Sequence, residues 1–417
     1  MILSVTLSEQ ENKVERKNKR VLIIDDMNEM RSMLKEMVVS LGYSKEKIDI
    51  EGSGQAAIKL IMNNYYDVVL SDYNLGGNIN GQVILETVRR TYVLDNTTIF
   101  IMITADVSYN CVINIIEYEP DGYIVKPFTK ADFARRFKKV ENQKSIFYKL
   151  NNARKERNYN DMQIFAKEIM VSHPYFKNQC LKLEGESLLF QKKYKEAKKH
   201  YFKALDVNKE FYWAYYGIAL CEIELGFINQ AFNYLNYIIK CNRNFLPAYD
   251  SLADLKIKKG DYESAQSTMI DLIKLSPYSL KRAERLGILS TKVQDWENVE
   301  KIYSHIINLT KDTNKEKLYY YYNHLQSINN LSEKEDFNIK LVDKFKRSLS
   351  RLRYFGKDKP IVTTNSFRLE INQHLIRNHK KEAMRSWNHW NELIKKGQAS
   401  SIKESQEIDI KKRLGLY

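Results

Sequence analysis

The segment DVVLSDYNL, residues 67–75, decides the fold of the first third of this 417-residue chain. Its apolar, β-branched start followed by turn residues predicts a strand buried on both faces of a sheet. Four more segments before residue 140 share this character, the last one weakly: 21–24, 99–103, 122–125 and 48–50. Helical spacing of apolar residues separates them, at 30–39, 55–61, 83–89 and 108–117. This alternation predicts a doubly wound α/β domain around a parallel five-stranded sheet.

Charged and hydroxyl side chains stand where these strands end. Asp25 and Asp26 follow the first strand, Asp72 ends the third, Thr104 ends the fourth and Lys126 follows the fifth. Because the carboxyl ends of parallel strands border one crevice, we expect these groups to meet there. Three carboxylates would repel one another unless a divalent cation such as Mg²⁺ lay between them. The set predicts phosphoryl transfer to an aspartate, with the cation and the lysine neutralising phosphoryl oxygens.

Four of these segments resemble the receiver domain of two-component response regulators. They are VLIIDDMNEMRSML (21–34), VVLSDYNLGGNING (68–81), FIMITAD (100–106) and DGYIVKPF (121–128). The resemblance covers about residues 20–140, and we expect a receiver domain over 20–142. It implies a flavodoxin-like sheet with strand order 2-1-3-4-5 and phosphorylation by a sensor histidine kinase. It also implies a homodimer as one available assembly, formed through the face that carries Tyr123.

The resemblance assigns roles to the pocket residues. Asp72 is the expected phosphoacceptor, Asp26 a direct Mg²⁺ ligand and Asp25 a ligand through water. Asn74 matches the position whose backbone carbonyl contacts the metal. The loop after Asp72 departs from the family pattern, because Leu75-Gly76-Gly77 replaces the usual Met-Pro and an extra residue precedes the next glycine. This departure predicts altered loop dynamics with the chemistry unchanged.

Three further residues match the family's switch. Lys126 is the expected phosphate-contacting lysine, Thr104 the switch hydroxyl and Tyr123 the switch aromatic. For Tyr123 an ordinary strand aromatic remains the alternative, because aromatic side chains are common in strands.

Composition limits the class of protein. The chain has 67 Lys and Arg against 52 Asp and Glu, a formal charge of +15, and lacks an uncharged run of 18 residues. This excludes a membrane span, and the first 17 residues lack the parts of a signal peptide, so we expect a cytoplasmic protein with no membrane partner. The four cysteines show neither a CxxC pair nor zinc-ligand spacing, which argues against a disulfide framework and a structural metal.

The positive charge lies in the C-terminal two thirds. Residues 1–140 hold 18 basic and 19 acidic side chains, so residues 141–417 hold 49 and 33, a net charge of +16. From about residue 145 the strand pattern ends and helical periodicity continues. No proline or glycine occurs between Pro127 and Pro174, so the helix that begins near Thr129 is expected to run into the next segment with little linker. Residues 143–177 are expected to form connecting helices or a degenerate repeat.

A repeat of 34 residues organises the region 178–310. Small or β-branched residues recur at this interval, each with another small residue twelve positions earlier and a large apolar one four positions later. The three sets are Ala197, Ala231, Ala265 and Val299; Gly185, Ala219, Ala253 and Gly287; and Tyr201, Leu235, Met269 and Tyr303. This period is the tetratricopeptide (TPR) signature, in which small residues allow paired helices to approach and large ones fill the space between them. We expect four units in an all-α solenoid whose groove binds a protein partner.

Residues 311–417 are predicted to be helical without this period. Ser332 with Glu335 predicts a helix start, and the following helix aligns three basic residues, Lys344, Arg347 and Arg351. Such a stripe is a candidate phosphate-contacting surface, although a solvated face is the commoner explanation.

We therefore expect a response regulator in which phosphorylation of Asp72 switches protein interactions of the TPR region. Two alternatives stay open: phosphorylation-controlled nucleic-acid binding by the basic C-terminal region, and an inhibitor or phosphatase acting on a signalling kinase or regulator. Against the latter, the helical region offers no evident nucleophile and base pair, although His200 and Gln residues on a helix stay open as candidates. Apart from accepting the phosphoryl group and slow autodephosphorylation, no enzyme activity is expected.

Overall fold

A computed structural model describes residues 16–76, 79–90, 98–105, 120–277, 279–312, 315–333 and 339–416. For residues 86, 87 and 90 it describes only the backbone. The chain forms two compact units, Met1–Tyr278 and Ser279–Tyr417.

A parallel sheet forms the first part of the N-terminal unit. Its strands are β1 (Val21–Ile24), β2 (Ile48–Glu51), β3 (Val68–Asp72), β4 (Ile99–Thr104) and β5 (Gly122–Val125). They lie in the order β2-β1-β3-β4-β5, and every neighbouring pair is parallel, which confirms the predicted topology. The weakly predicted strand is β2, at the edge, where only Ile48 is fully buried. An edge position demands less apolar surface, so its sequence signal is weaker.

Helices cover both faces of this sheet. They are α1 (Asn28–Ser40), α2 (Gly54–Asn63), α3 (Gly81–Arg90) and α4 (Lys130–Ile146). Leu22 and Ile24 of β1 pack in one core with side chains of α2 and α3. Val21 and Ile23 pack in a second core with side chains of α1 and α4. Alternate residues of a strand point to opposite faces, so β1 is buried on both. The helix predicted at 108–117 lies outside the described residues.

Helix α4 leads directly into the helical region. Thr129 caps its start, because its hydroxyl accepts a hydrogen bond from the Asp132 backbone N–H while the Asp132 carboxylate reaches back to Thr129. One residue, Phe147, separates α4 from α5 (Tyr148–Lys155). Phe147 is 3% exposed and belongs to the apolar core of the next helices. The predicted short junction is therefore confirmed.

Paired helices form the rest of the N-terminal unit. They are α5, α6 (Tyr159–Ser172), α7 (Lys177–Phe190), α8 (Tyr194–Val207), α9 (Tyr212–Glu224), α10 (Ile228–Cys241), α11 (Leu246–Lys258) and α12 (Tyr262–Leu275). The small and large residues of the predicted repeat are buried throughout. The helices approach closely at Gly185, where an added Cβ would lie 2.4 Å from the ring of Tyr201.

Six of the helix pairs turn through one residue with a positive φ angle. These residues are Arg157, Lys192, Gly226, Gly260, Gln294 and Asn378. The first five follow one another at intervals of 35, 34, 34 and 34 residues. In each case the next backbone N–H donates to a carbonyl five residues earlier, as from Lys193 to Leu188 at 3.0 Å, which is the helix-ending arrangement that a left-handed residue permits.

The C-terminal unit is also helical. Its helices are α13 (Leu280–Lys292), α14 (Trp296–Thr310), α15 (Leu318–Ser332), α16 (Ile339–Gly356), α17 (Pro360–Ile376), α18 (Lys380–Lys395) and α19 (Glu404–Leu414). The fourth predicted repeat corresponds to α13 and α14, where Tyr303 packs on Gly287. The predicted helix start at Ser332 is wrong, because Ser332 is the last residue of α15; its partner Glu335 lies outside the described residues. In the part of the chain that the structure describes, no helix has the length and apolarity needed to cross a lipid bilayer.

Candidate functional site

The acidic side chains predicted at the strand ends lie together. Asp25 and Asp26 directly follow β1, and Asp72 is the last residue of the neighbouring strand β3. One carboxylate oxygen of each residue lies within 4.8 Å of the other two. Asp25 and Asp72 are buried, whereas Asp26 is exposed. The cluster therefore opens to solvent on the side of Asp26.

Lys126 joins this cluster from the end of β5. Its Nζ lies 3.0 Å from Oδ2 of Asp25 and 3.1 Å from Oδ1 of Asp72. The Lys126 side chain is 15% exposed, so its charge is partly shielded from water. Its backbone N–H donates to the carbonyl of Thr104 at 2.7 Å, and its peptide bond to Pro127 is cis. One ammonium group thus bridges two buried carboxylates.

The electrostatics of the pocket favour a further cation. Burial raises the pKa of Asp72 to about 6; Lys126 opposes this rise, while Asp25 and Asp26 add to it. Burial alone would lower the pKa of Lys126, but its hydrogen bonds to Asp25 and Asp72 raise it overall. A single lysine therefore does not compensate all three carboxylates.

The donor set fits Mg²⁺. This ion prefers oxygen ligands, holds few carboxylates and retains water. Asp25, Asp26 and Asp72 supply carboxylate oxygens close enough to share one ion, and the exposure of Asp26 leaves access for water. Among the described residues, this is the grouping of His, Cys, Asp and Glu that has metal-site spacing.

Two glycines are required between the end of β3 and the first residue of α3. Gly76 has φ +62°, and a Cβ there would lie 2.8 Å from Oδ2 of Asp26. A Cβ on Gly81 would lie 2.3 Å from the backbone oxygen of Asp72, which cannot move without displacing the strand end. Gly77 of the predicted departure lies outside the described residues.

The remaining predicted residues occupy suitable positions. Thr104 ends β4 and is 1% exposed, one residue beyond Ile103, the sheet partner of Asp72. Tyr123 lies in β5 and is 48% exposed. Asn74 is exposed, two residues beyond Asp72. The switch roles of Thr104 and Tyr123 and the metal contact of the Asn74 carbonyl remain predictions.

The sequence reasoning missed Asp121, at the other end of β5. Its Oδ1 accepts a hydrogen bond from Lys144 of α4 at 2.6 Å. Its Oδ2 accepts bonds from the backbone N–H of Phe100 at 2.7 Å and from Arg89 of α3 at 3.2 Å. Asp121 therefore ties the start of β5 to the helix that leads out of the sheet domain. The sequence signal for this residue was an aspartate directly before Gly122, the first residue of β5. Its role could not be predicted from that signal, because its partners are more than 20 residues away in sequence.

The predicted basic stripe is largely paired with acidic residues. Lys344 Nζ lies 2.6 Å from Oε1 of Glu300. Arg351 makes two 2.9 Å hydrogen bonds to Glu316. Arg347 is exposed. Two of the three stripe residues are thus engaged inside the unit, which reduces the positive charge this surface offers to phosphates.

Comparisons with known proteins agree with this fold. The family model for the response regulator receiver domain matches residues 21–138. Chemotaxis protein CheY-3 of Vibrio cholerae serotype O1 is 30% identical over 125 residues, which cover 30% of this chain and 92% of that protein. Chemotaxis protein CheY of Pseudomonas aeruginosa is 26% identical over 121 residues, covering 29% and 94% respectively.

A solved structure overlaps a larger part of the chain. It is a tetratricopeptide repeat protein from Parabacteroides merdae, 16% identical, with a TM-score of 0.32, covering 65% of this chain and 97% of that one. The chain belongs to the two-component response regulators, through a receiver domain of the CheY type. The 34-residue helix pairs that follow form a TPR region.

Proposed function

We propose that Asp72 accepts a phosphoryl group from a sensor histidine kinase and that this modification controls binding of a protein partner by the TPR region. The observation that carries the proposal is the bridge from Lys126 to Asp25 and Asp72, which gathers a nucleophile and a fixed positive charge at adjacent strand ends. The exposed side of the pocket, at Asp26, gives a phosphodonor access.

The chemistry follows from the positions of these groups. An Asp72 carboxylate oxygen attacks the phosphorus of a phosphohistidine, the P–N bond breaks, and the imidazole leaves with its electron pair and takes up a proton. Lys126 moves from carboxylate to phosphoryl oxygens as the new negative charge develops. Mg²⁺, held by Asp25 and Asp26 with the Asn74 carbonyl, would neutralise phosphoryl oxygens. Phosphoryl acceptance and slow autodephosphorylation are the only chemistry we propose for the chain.

A route from the pocket to the helical region is built into β5 and α4. The new charge at Asp72 would attract the Thr104 hydroxyl and reposition Tyr123. β5 lies against α4, because a Cβ on Gly122 would be 2.6 Å from Val140. The Asp121–Lys144 ion pair, at 2.6 Å, holds the same two elements together.

Helix α4 then connects to the repeats without a flexible linker. Phe147, the next residue, is buried with Leu150 of α5 and Met162 of α6 in one apolar core. The Gln143 side chain of α4 donates a 3.2 Å hydrogen bond to Gln179 of α7. A displacement of α4 would therefore be passed to the first helix pairs. We propose functional boundaries at 20–142 for the receiver, 143–177 for the connecting helices, 178–310 for four TPR units and 311–417 for the remaining helices.

The observations support the alternatives less well. Nucleic-acid binding through the basic stripe is disfavoured, because Lys344 and Arg351 are ion-paired to carboxylates. For a phosphatase, His200 was the candidate base, but its Nε2 lies 2.8 Å from the carbonyl of Leu181. That contact engages His200 between two helices of a repeat.

The test is phosphorylation by a small donor. The full chain is incubated with acetyl phosphate and Mg²⁺ and followed by phosphate-affinity electrophoresis, with hydroxylamine treatment to identify an acyl phosphate. We expect wild type and Asp206→Asn, an exposed control on α8, to gain the modification and Asp72→Asn to lack it. Wild type that gains no hydroxylamine-sensitive phosphate, or Asp72→Asn that gains as much, would overturn the assignment. A pull-down with phosphorylated wild type against Asp72→Asn then identifies the partner and the state that binds it.

A further inference from the structure

A groove of about 500 Å³ lies among three helices of the C-terminal unit, α16, α17 and α18. It is bordered by the end of α16, one side of α17 and one side of α18. Its principal lining residues are Arg353, Lys357, Phe367, Glu370, Arg385 and Leu393. We call it the α16–α18 groove.

The apolar part of the groove is fixed in place. Phe367 is 5% exposed, and the guanidinium of Arg353 lies over its ring at 4.3 Å. Arg353 is held in turn by Glu370, through hydrogen bonds of 2.9 and 3.3 Å, and by the hydroxyl of Ser366 at 3.1 Å. Arg353 thus serves as a wall of the groove, and Glu370 compensates its charge. With Leu393, these residues form a preorganised apolar surface.

The two other cations at the groove are not compensated in this way. Lys357 and Arg385 are exposed, and among the described residues neither lies within 4 Å of a carboxylate oxygen. Glu382 interacts electrostatically with Arg385 from a longer distance. By contrast, Lys344 and Arg351 of the same unit each have a carboxylate partner. Two positive charges therefore converge on one groove with an apolar surface.

We propose that the α16–α18 groove binds an acidic peptide segment of the partner protein. Carboxylates of the peptide would pair with Lys357 and Arg385, and a neighbouring apolar side chain would pack beside Leu393, against the Arg353 side chain that covers Phe367. The inference rests on the proposed function and locates a partner site within it. The net charge of +16 on residues 141–417 adds long-range attraction for an acidic partner.

A nucleic acid fits this groove less well. Single-stranded bases bind proteins by stacking on accessible aromatic faces, and here Arg353 covers the ring of Phe367 while almost none of it reaches solvent. The donors of Arg353 that could contact phosphate are directed to Glu370 instead. An extended or helical peptide can bind through the groove and the two charged residues at its edges, Lys357 and Arg385, without an exposed aromatic ring.

The test is selection of peptides by the full chain. A phage-displayed random library is selected on immobilised protein, and the enriched sequences are synthesised with a fluorescein label for anisotropy titration. We expect the enriched peptides to combine Asp or Glu with an apolar residue. The variant Lys357→Glu/Arg385→Glu should weaken their binding at least tenfold, and Lys357→Gln/Arg385→Gln should weaken it by a smaller factor.

A matched control changes the same charge elsewhere. Lys395→Glu/Lys412→Glu alters two exposed lysines outside the groove lining and should change binding less than twofold. Each variant must show the wild-type circular dichroism melting curve. Enrichment without acidic residues, equal loss in the control, or displacement of the peptide by a single-stranded oligonucleotide at equal concentration would overturn the proposal.

The two proposals fail independently. The groove variant should still accept phosphoryl from acetyl phosphate at Asp72. If no form of the protein binds the peptides while Asp72 is still phosphorylated, only the proposal of peptide binding by the α16–α18 groove is refuted. Peptide binding without phosphorylation of Asp72 refutes only the proposed function.

Discussion

The substitution Gly217→Ala tests the packing on which the repeat region depends. Tyr201 of α8 is 2% exposed, and its ring lies between Gly185 of α7 and Gly217 of α9. A Cβ on Gly217 would be 2.3 Å from ring atoms, and a Cβ on Gly185 would be 2.4 Å from them. The ring therefore contacts glycine on two sides and cannot withdraw from one without approaching the other.

We expect Gly217→Ala to lower the free energy of unfolding, whereas Gly→Ala in a helix usually raises it. In a helix interior, Gly→Ala normally stabilises by about 1 kcal/mol, because alanine has the higher helix propensity. At Gly217 the new methyl group would be more than about 1 Å closer to the ring than ordinary carbon contacts of about 3.5 Å allow. Overpacking of a filled core costs about 1–3 kcal/mol, and the trapped ring places this case at the upper end. We therefore expect a net destabilisation of about 2 kcal/mol.

Urea unfolding of the full chain, followed by circular dichroism at 222 nm, measures this change as a lower midpoint of the helical transition. The control is the double-mutant cycle with Tyr201→Leu, which removes the ring. In the Tyr201→Leu background, Gly217→Ala should become neutral or stabilise by up to about 1 kcal/mol, which gives a coupling energy of about 2–3 kcal/mol between the two sites. A stabilising Gly217→Ala, or effects additive within about 0.5 kcal/mol, would show that the glycine is not needed for packing.

Two further changes probe the charged networks. Lys126→Met should destabilise the receiver domain by about 3 kcal/mol, because Asp25 and Asp72 lose their shared cation; urea unfolding in EDTA checks this, and an unchanged midpoint contradicts it. Glu300 is buried, which opposes its ionisation, but hydrogen bonds from its partners, Lys344 among them, lower its pKa overall. Its stabilisation is complete above the unfolded pKa, near 4.5, and is lost as the pH falls through the lower folded value. The melting temperature of Glu300→Gln should therefore lie below that of wild type at pH 7 and approach it at pH 3. A difference in melting temperature that stays constant from pH 7 to pH 3 would argue against the network.

Much of the sheet domain follows from local patterns. Buried strands such as β3 need continuous apolar runs, and parallel strands place their carboxyl ends at one edge. Asp25, Asp72 and Lys126 could therefore be assigned to one crevice although about 100 residues separate the first from the last. The edge strand β2 was predicted only weakly, because its four residues alternate Ile and acidic side chains and lack the continuous apolar run of the central strands.

The turns between paired helices were less visible in the sequence. Gly226 and Gly260 mark two of them, but Lys192 and Gln294 adopt the same left-handed conformation elsewhere. Glycine reduces the cost of that conformation without being required for it. The hydrogen bonds that end the preceding helix offset the strain at the other residues. The turns therefore recur at 34-residue intervals in their φ angles, although the residue types at these positions differ.

The sequence by itself determined the fold classes, the acidic pocket and the repeat period, because each depends on the spacing of residue types along the chain. Tertiary structure decided which charges remain available for partners. Lys344 and Arg351 belong to the predicted basic stripe and are engaged by carboxylates on other segments, whereas Lys357 and Arg385 keep their charge at the α16–α18 groove. The physical reason is that an ion pair depends on a few ångströms between side chains distant in sequence, and only the packing of the helices fixes that distance.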